Sequence, residues 1–181
     1  KLDKHRVCGI KLFMGSSTGN MLVDKMNSLL NIFNGTDMLI AAHCEDQETI
    51  KNNIEKYKQK YKGADDIPVS AHPSIRSVPA CYASSELAVR LAKIAGARLH
   101  ILHVSTAKEL QLFSDEPLAS KNITAEACVA HLLFTLTHYN SLGTRIKCNP
   151  AVKRKTDREA LRAAVNSGLI DVIATDTLLT C

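Results

Sequence analysis

Four residues that can bind a metal ion lie within or at the ends of short apolar segments of this chain. Lys11 interrupts one segment, and His43, His103 and Asp176 each close another. Neutral imidazoles and carboxylates are ordinary zinc ligands. A lone histidine on an apolar strand is more often a hydrogen-bonded core residue, Asp176 alone could cap a helix, and Lys11 alone could extend to solvent. We predict that all four lie at the same end of their own strands, and this agreement favours a shared metal site.

The elements that must position these residues alternate along the chain. Helical stretches are predicted at residues 46–61 and 80–95, the second closed by Gly96. Ser105 or Thr106 could cap a helix over residues 107–113, and a capping-box pattern opens another helix at Thr156, which Gly168 ends. The apolar segments are predicted as strands at residues 8–14, 38–43, 98–104, 123–128 and 171–176.

Strands that alternate with helices predict a parallel sheet, because parallel strands need crossover connections. Periodicity alone leaves an open doubly wound sheet and a closed barrel about equally supported. The chain has no G-x-G-x-x-G motif after a strand, which weakens a dinucleotide-binding fold. In a barrel the carboxyl ends of the strands converge on one mouth, where residues distant in sequence can share a metal centre. The polar strand ends therefore favour the barrel.

Composition narrows the function classes. Apolar residues make up 45% and charged residues 23% of the 181, which is typical of a globular domain, and no apolar run is long enough to cross a membrane. The lysines between residues 51 and 62 fit a solvated helix face, and aromatics are only 4%, so we expect no nucleic-acid partner. Six scattered cysteines without a C-x-x-C pair indicate a reducing, cytoplasmic compartment.

Five segments resemble, in order, motifs of the hydantoinases and related dihydroorotases, a branch of the cyclic amidohydrolase superfamily. The resemblance covers almost the whole chain, and five motifs in one order are far more specific than any single motif. The segments are GIKLFM at residues 9–14, AHCED at 42–46, LHILHVST at 99–106, KCNPAVK at 147–153 and DVIATD at 171–176.

This resemblance implies a (β/α)8 TIM-type barrel, of which residues 1–181 would form one partial domain holding about strands four to eight. It implies two zinc ions, bridged by a carboxylated Lys11 and a hydroxide. His43 and His103 would bind the second ion and Asp176 the first. Asp176 would also act as general base and then acid, and Asn149 would contact the substrate.

The activity implied is zinc-dependent hydrolysis of a cyclic amide, namely the reversible interconversion of dihydroorotate and N-carbamoyl-L-aspartate in de novo pyrimidine biosynthesis. The partner is then a small-molecule substrate, and a homo-oligomer stays open. The rivals are a hydantoinase, a dihydropyrimidinase or an allantoinase. Asn149 with Pro150, and the loop at residues 15–19, favour the dihydroorotase. A non-catalytic assembly subunit is less favoured because the four ligand candidates are present.

Two departures from the family pattern affect the expected site. The family's first metal motif, His-x-His, does not occur in this chain, and TLLTC at residues 177–181 stands where the family continues His-Ala-Pro-His. Either a substrate-contacting histidine is lost or a mobile loop is missing from the sequence, and we favour the missing loop. We expect the native protein to extend upstream. Residues 1–181 expressed alone should aggregate, bind metal poorly and lack activity.

Overall fold

A parallel five-stranded sheet organises the computed structural model, which describes residues 6–14, 26–63, 65 and 67–176. The loop at residues 15–19 and the segment 177–181 lie outside the described residues. The strands follow one another across the sheet in chain order, each parallel to its neighbours. Their bounds are β1 Gly9–Met14, β2 Leu39–Cys44, β3 Leu99–Ile101, β4 Ile123–Cys128 and β5 Val172–Ala174.

Sequential order distinguishes this sheet from a doubly wound one, whose strand order reverses at a switch point. An unbroken run of neighbouring parallel strands is the arrangement found along the wall of a (β/α) barrel. Among the described residues β1 pairs only with β2 and β5 only with β4. The strand order therefore favours the predicted barrel class, with five strands in the described part of the chain.

The pairing register separates an apolar face from a polar face. Leu12, Ala42 and Ile101 lie on the face that packs against the helices, and all three are buried. Lys11 pairs with Ala41 on the opposite face, because neighbouring residues of a strand point to opposite sides. Residues that share this second face through the register are Lys11, Phe13, Ala41, His43, His100, Thr124, Glu126, Cys128, Val172 and Ala174.

Helices cover the apolar face and connect the strands. The longest of them, α4, packs against β2, β3 and α1, and Gly96 ends it in a left-handed conformation, as predicted. Asp46 caps α2 by accepting from Thr49 N at 2.8 Å. The α-helices are α1 Met26–Asn34, α2 Gln47–Lys60, α3 His72–Ile75, α4 Val78–Ala95, α5 Val129–Leu133, α6 Tyr139–Leu142 and α7 Lys155–Asn166.

Two helix predictions differ from the structure, one in the type of helix and one in the residue at which the helix begins. The segment expected to be a helix over residues 107–113 forms only a 3₁₀ helix at Glu109–Leu112, although Thr106 Oγ1 does accept from Glu109 N at 3.2 Å. Helix α7 begins at Lys155, one residue before the predicted start, so Thr156 lies inside it. The reason is that the Asp157 carboxylate accepts from Arg154 N at 3.2 Å and from Ala107 N at 3.0 Å.

A buried ion pair attaches β5 to the sheet. Lys121 Nζ lies 2.8 Å from Asp171 Oδ1, and Ala125 N donates to Asp171 Oδ2 at 2.8 Å. The two side chains are 1% and 4% exposed, respectively. We expect Asp171→Ala to lower the free energy of unfolding by about 3–5 kcal/mol, because it leaves a buried ammonium without its carboxylate.

Urea unfolding of the full-length protein and of its Asp171→Ala, Lys121→Met and double variants tests this pair. The double variant should lose less free energy of unfolding than the sum of the two single variants, since each single change removes the same interaction. Additive losses, or a loss below about 1 kcal/mol in Asp171→Ala, would show that this pair contributes little.

Candidate active site

Two buried imidazoles from neighbouring strands face each other at the carboxyl end of the sheet. His43 lies near the end of β2, and His103 follows β3 by two residues. His43 Nδ1 lies 2.9 Å from His103 Nε2, and the rings meet edge to face with centroids 4.7 Å apart. The structure thus brings two of the predicted metal ligands together through one nitrogen each.

The backbone at His103 has an unusual conformation. Its φ is +41°, in the left-handed region that residues other than glycine rarely adopt. Glu126 stabilises this turn, because its Oε1 accepts from His103 N at 3.2 Å. Glu126 Oε2 also lies 3.4 Å from His100 Nε2, and His100 Nδ1 lies 2.8 Å from Thr124 Oγ1. A carboxylate on β4 therefore orients the turn that carries His103.

Lys11 lies on the same face of the sheet as His43, and Asp176 is close enough to Lys11 and His43 for their charges to affect its pKa. The prediction that all four residues end their strands is wrong for Lys11, which is the third residue of β1 and pairs with Ala41, two residues before His43. The alternation of the strand still places Lys11 on the polar face. Its Nζ lies 5.0 Å from the centre of the Phe13 ring. Asp176 follows β5 by two residues, is exposed and has a φ of +42°.

The charges of these four residues influence one another. Partial burial lowers the pKa of Lys11, while the negative charges of Asp176 and Glu126 oppose that shift. Partial burial raises the pKa of Asp176, and the positive charge of Lys11 opposes it. Burial, followed by the neighbouring His43 and by His131, holds the pKa of His103 well below its usual range. His103 is therefore neutral near pH 7, the form in which imidazole binds metals.

A buried ion pair borders the imidazoles on the β2 side. Glu45 Oε2 lies 3.2 Å from His43 Nε2 and forms an ion pair with Arg76 Nη1. Burial would raise the pKa of Glu45, but His43 and then Arg76 outweigh that effect and lower it. Glu45 thus remains a carboxylate and orients the His43 ring, as partners of ligating histidines commonly do.

Asn149 lies in the loop between a 3₁₀ helix at Gly143–Ile146 and α7, where its side chain is exposed. The peptide bond to Pro150 is cis. The preceding residue, Cys148, is close enough to Asp176 and Glu45 for their charges to raise the pKa of its thiol, although burial is the main cause. The loop that carries Asn149 therefore borders the same region.

The side chains of this region match in part the zinc pair that the family resemblance implies. The donor types fit zinc, one nitrogen of each imidazole faces the other at 2.9 Å, and His103 Nδ1 is buried without a hydrogen-bond partner. Within residues 6–14, 26–63, 65 and 67–176, no three His, Cys, Asp or Glu side chains are placed to hold a metal ion. The described residues thus assemble the two-imidazole part of such a site.

Sequence reasoning missed the residues that support this pair. Glu126 left only a weak signal, a single carboxylate within a predicted strand, and Glu45 follows His43 by two residues. Arg76 and His131 left none, since their neighbours in space are distant in sequence. His72 and His131 form hydrogen bonds to the carbonyls of Cys148 and Pro150, respectively.

Buried neutral histidines should make stability depend on pH. Burial lowers the pKa of both His72 and His131 from 6.5 to about 4. Between these values the unfolded chain binds protons that the folded protein does not, so the stabilisation is complete above pH 6.5 and is lost as the pH falls towards 4. Each ring should account for roughly 2 kcal/mol of the loss between pH 7 and pH 5.

Urea unfolding of the full-length wild type and of its His72→Gln and His131→Gln variants at both pH values measures this contribution. Each variant should lose less stability on acidification than the wild type, by roughly 2 kcal/mol. Equal losses in all three proteins would show that these rings titrate normally.

Curated proteins with similar sequences share one name. The chain is 31% identical over 165 residues to a dihydroorotase of Halalkalibacterium halodurans and 31% identical over 166 residues to one of Bacillus licheniformis. Each match covers 90% of this chain but 36% of the relative, so the chain spans little more than a third of their length. No protein-family model matches the chain.

Solved structures confirm the fold. The L-hydantoinase (dihydropyrimidinase) of Arthrobacter aurescens aligns with a TM-score of 0.83 at 23% identity, over 96% of this chain and 39% of its own. The dihydroorotase of Campylobacter jejuni aligns with a TM-score of 0.56 at 20% identity, over 96% of this chain and 44% of its own. The predicted partial TIM-type barrel is therefore confirmed. No helix in the described part of the chain is long and apolar enough to span a membrane.

Proposed function

We propose, from the premise that this chain is a homologue of the dihydroorotases, that the protein containing it hydrolyses a cyclic amide in a zinc-dependent reaction. The specific reaction is the reversible interconversion of dihydroorotate and N-carbamoyl-L-aspartate, a step of pyrimidine biosynthesis. Residues 1–181 supply one partial barrel domain of that enzyme. The five described cysteines are free thiols, which fits a reducing cytoplasm as the place of the reaction.

One observation carries the proposal beyond sequence similarity. His43 Nδ1 and His103 Nε2 belong to residues 60 apart in the chain and lie 2.9 Å from each other. Lys11 and Asp176 interact electrostatically with these two histidines. The charge of Lys11 affects the pKa of His103, and the charge of His43 affects the pKa of Asp176. These four residues come from four of the five motifs, and their charges act on one another.

His43 and His103 would hold one zinc ion through their facing nitrogens, and Asp176 would hold the other. Lys11 would contribute as a carbamate formed with CO₂, because an ammonium would repel the cations whereas a carbamate offers two oxygens. When bound, the zinc ions would polarise the ring carbonyl and make a nucleophilic water available near pH 7. Glu45 and Glu126 would keep the two imidazoles in orientation from outside the site.

Ring opening consumes one water, which adds to the carbonyl carbon as the carbon–nitrogen bond breaks. Asp176 would take a proton from that water and deliver it to the leaving nitrogen, as general base and then general acid. Asn149 would hydrogen-bond the ring with its exposed amide and so orient the carbonyl.

The second candidate function is that of a hydantoinase, a dihydropyrimidinase or an allantoinase. It is favoured by the structural neighbours, since hydantoinases align with higher TM-scores than the dihydroorotase does. Those identities are below 25%, so this likeness concerns the fold. The sequence matches at 30–31% identity favour dihydroorotate as substrate.

Metal analysis combined with turnover tests the proposal on the full-length protein. The purified enzyme should contain about two zinc ions per chain and open dihydroorotate. Removal of zinc by a chelator should abolish turnover, and added zinc should restore it. Full turnover by the metal-free protein would overturn the proposed chemistry.

A further inference from the structure

Two imidazoles hold the backbone on either side of Asn149. His72 Nε2 lies 2.9 Å from the carbonyl oxygen of Cys148, and His131 Nε2 lies 2.9 Å from that of Pro150. A carbonyl oxygen can only accept, so both Nε2 atoms carry the hydrogen and donate it. The residues immediately before and after Asn149 are therefore each fixed by a side chain from another element.

The two rings come from separate helices and are well enclosed. His72 begins α3 and is 8% exposed, whereas His131 lies in α5 and is 5% exposed. Burial keeps both rings neutral, with pKa values of about 4. Lys153 extends the arrangement, because its Nζ donates to the next carbonyl, that of Ala151, at 2.8 Å. Three carbonyls of one short loop are thus held by side chains.

The Asn149 side chain differs from the backbone around it. Its side chain is exposed towards solvent while the backbone around it is fixed. A side chain that orients a ligand must be held to within about 0.5 Å, which requires fixed backbone and supporting hydrogen bonds. His131 also lies close enough to His103 to affect its pKa, so one ring borders both the loop and the imidazole pair.

We propose that His72 and His131 are positioning residues that fix the Asn149 loop for recognition of the ring amide of the substrate. The inference rests on the proposed function, because it assigns Asn149 to a cyclic amide. Both histidines act through Asn149 and do not touch the reacting atoms. Loss of either hydrogen bond therefore weakens substrate binding more than it slows the chemical step.

Paired substitutions in the full-length, zinc-loaded enzyme separate positioning from folding. Leucine removes the donor at similar size, whereas glutamine can offer an N–H near the position of Nε2. We expect His72→Leu and His131→Leu each to raise KM for dihydroorotate by about tenfold, which is the effect of one lost hydrogen bond. The kcat of each variant should stay within about threefold of the wild-type value, and its zinc content should be unchanged. The two glutamine variants should return KM to within about threefold of the wild type.

A double variant shows whether His131 acts on substrate binding through Asn149. Adding His131→Leu to Asn149→Ala should raise KM little further, because the histidine acts through the amide that is already lost. Independent, multiplicative effects on KM would overturn the proposal. Unchanged KM in the leucine variants would also overturn it, even if their stability falls.

Hydrogen exchange in peptides covering residues 147–153 gives a readout that does not depend on activity. Exchange should be faster in the leucine variants than in the wild type and the glutamine variants. If the wild type opens no cyclic amide, the proposed function fails and exchange alone decides whether the histidines fix the loop. Equal exchange in all variants would overturn that role.

Discussion

Replacing Lys11 with alanine should remove most of the bound zinc and most of the turnover of dihydroorotate together. Lys11 lies on the polar face of β1, two residues below the level of His43, and its charge acts on both His103 and Asp176. If it is carboxylated, it supplies oxygen ligands between the two ions, and alanine supplies none. Zinc content and kcat should therefore fall in parallel as measured on the same preparation.

Lys11→Arg is the matched control for charge and size. Arginine keeps a positive side chain at this position but does not form the carbamate, so it should lose zinc as alanine does. Mass spectrometry of the intact wild type under CO₂ should show an added mass of about 44 Da, that of one CO₂. A structure of the zinc-loaded enzyme should show two ions about 3.5–4 Å apart. A metal-loaded enzyme with a plain Lys11 side chain in solvent would contradict this role.

Replacing Asp176 with asparagine should lower kcat by at least about 10²-fold, the usual effect of losing a positioned general base. Asparagine has nearly the same shape but cannot take up and return a proton. Partial burial raises the pKa of Asp176, and the positive charge of Lys11 opposes that shift. Steady-state kinetics at saturating zinc measure the effect.

Asp176→Glu controls for the loss of the carboxylate, since it retains a base at a displaced position. It should keep more activity than Asp176→Asn, and the acidic limb of its pH profile should move. If zinc-loaded Asp176→Asn turns over at the wild-type rate, Asp176 has only a structural role and another group must move the proton.

Local sequence patterns predicted the strands well because each strand is a short apolar run between polar turns. Strand β4 matches its prediction at both ends, whereas β3 is shorter than expected. The reason is the left-handed backbone at His103, which ends the extended segment without a glycine to mark it. Helix α1 was not predicted, although Leu29 and Phe33, four residues apart, are its buried positions.

The candidate site was predictable only in its main residues. His43 and His103 could be identified because each closes an apolar strand, and the sheet then brings them together. Their supporting groups could not, because the Glu45 to Arg76 contact joins residues 31 apart and depends on tertiary packing. Sequence periodicity reports which face of an element is buried and contains no information on such long-range pairs.

The ratio of kcat/KM values for dihydroorotate and for competing cyclic amides tests the central claim most directly. The substrates to compare, on the zinc-loaded full-length enzyme, are dihydroorotate, a 5-substituted hydantoin and allantoin. We expect the highest kcat/KM for dihydroorotate, and a loss of that preference in Asn149→Ala. A higher kcat/KM for the hydantoin or for allantoin would contradict the assignment and transfer the protein to the neighbouring branch of cyclic amidases.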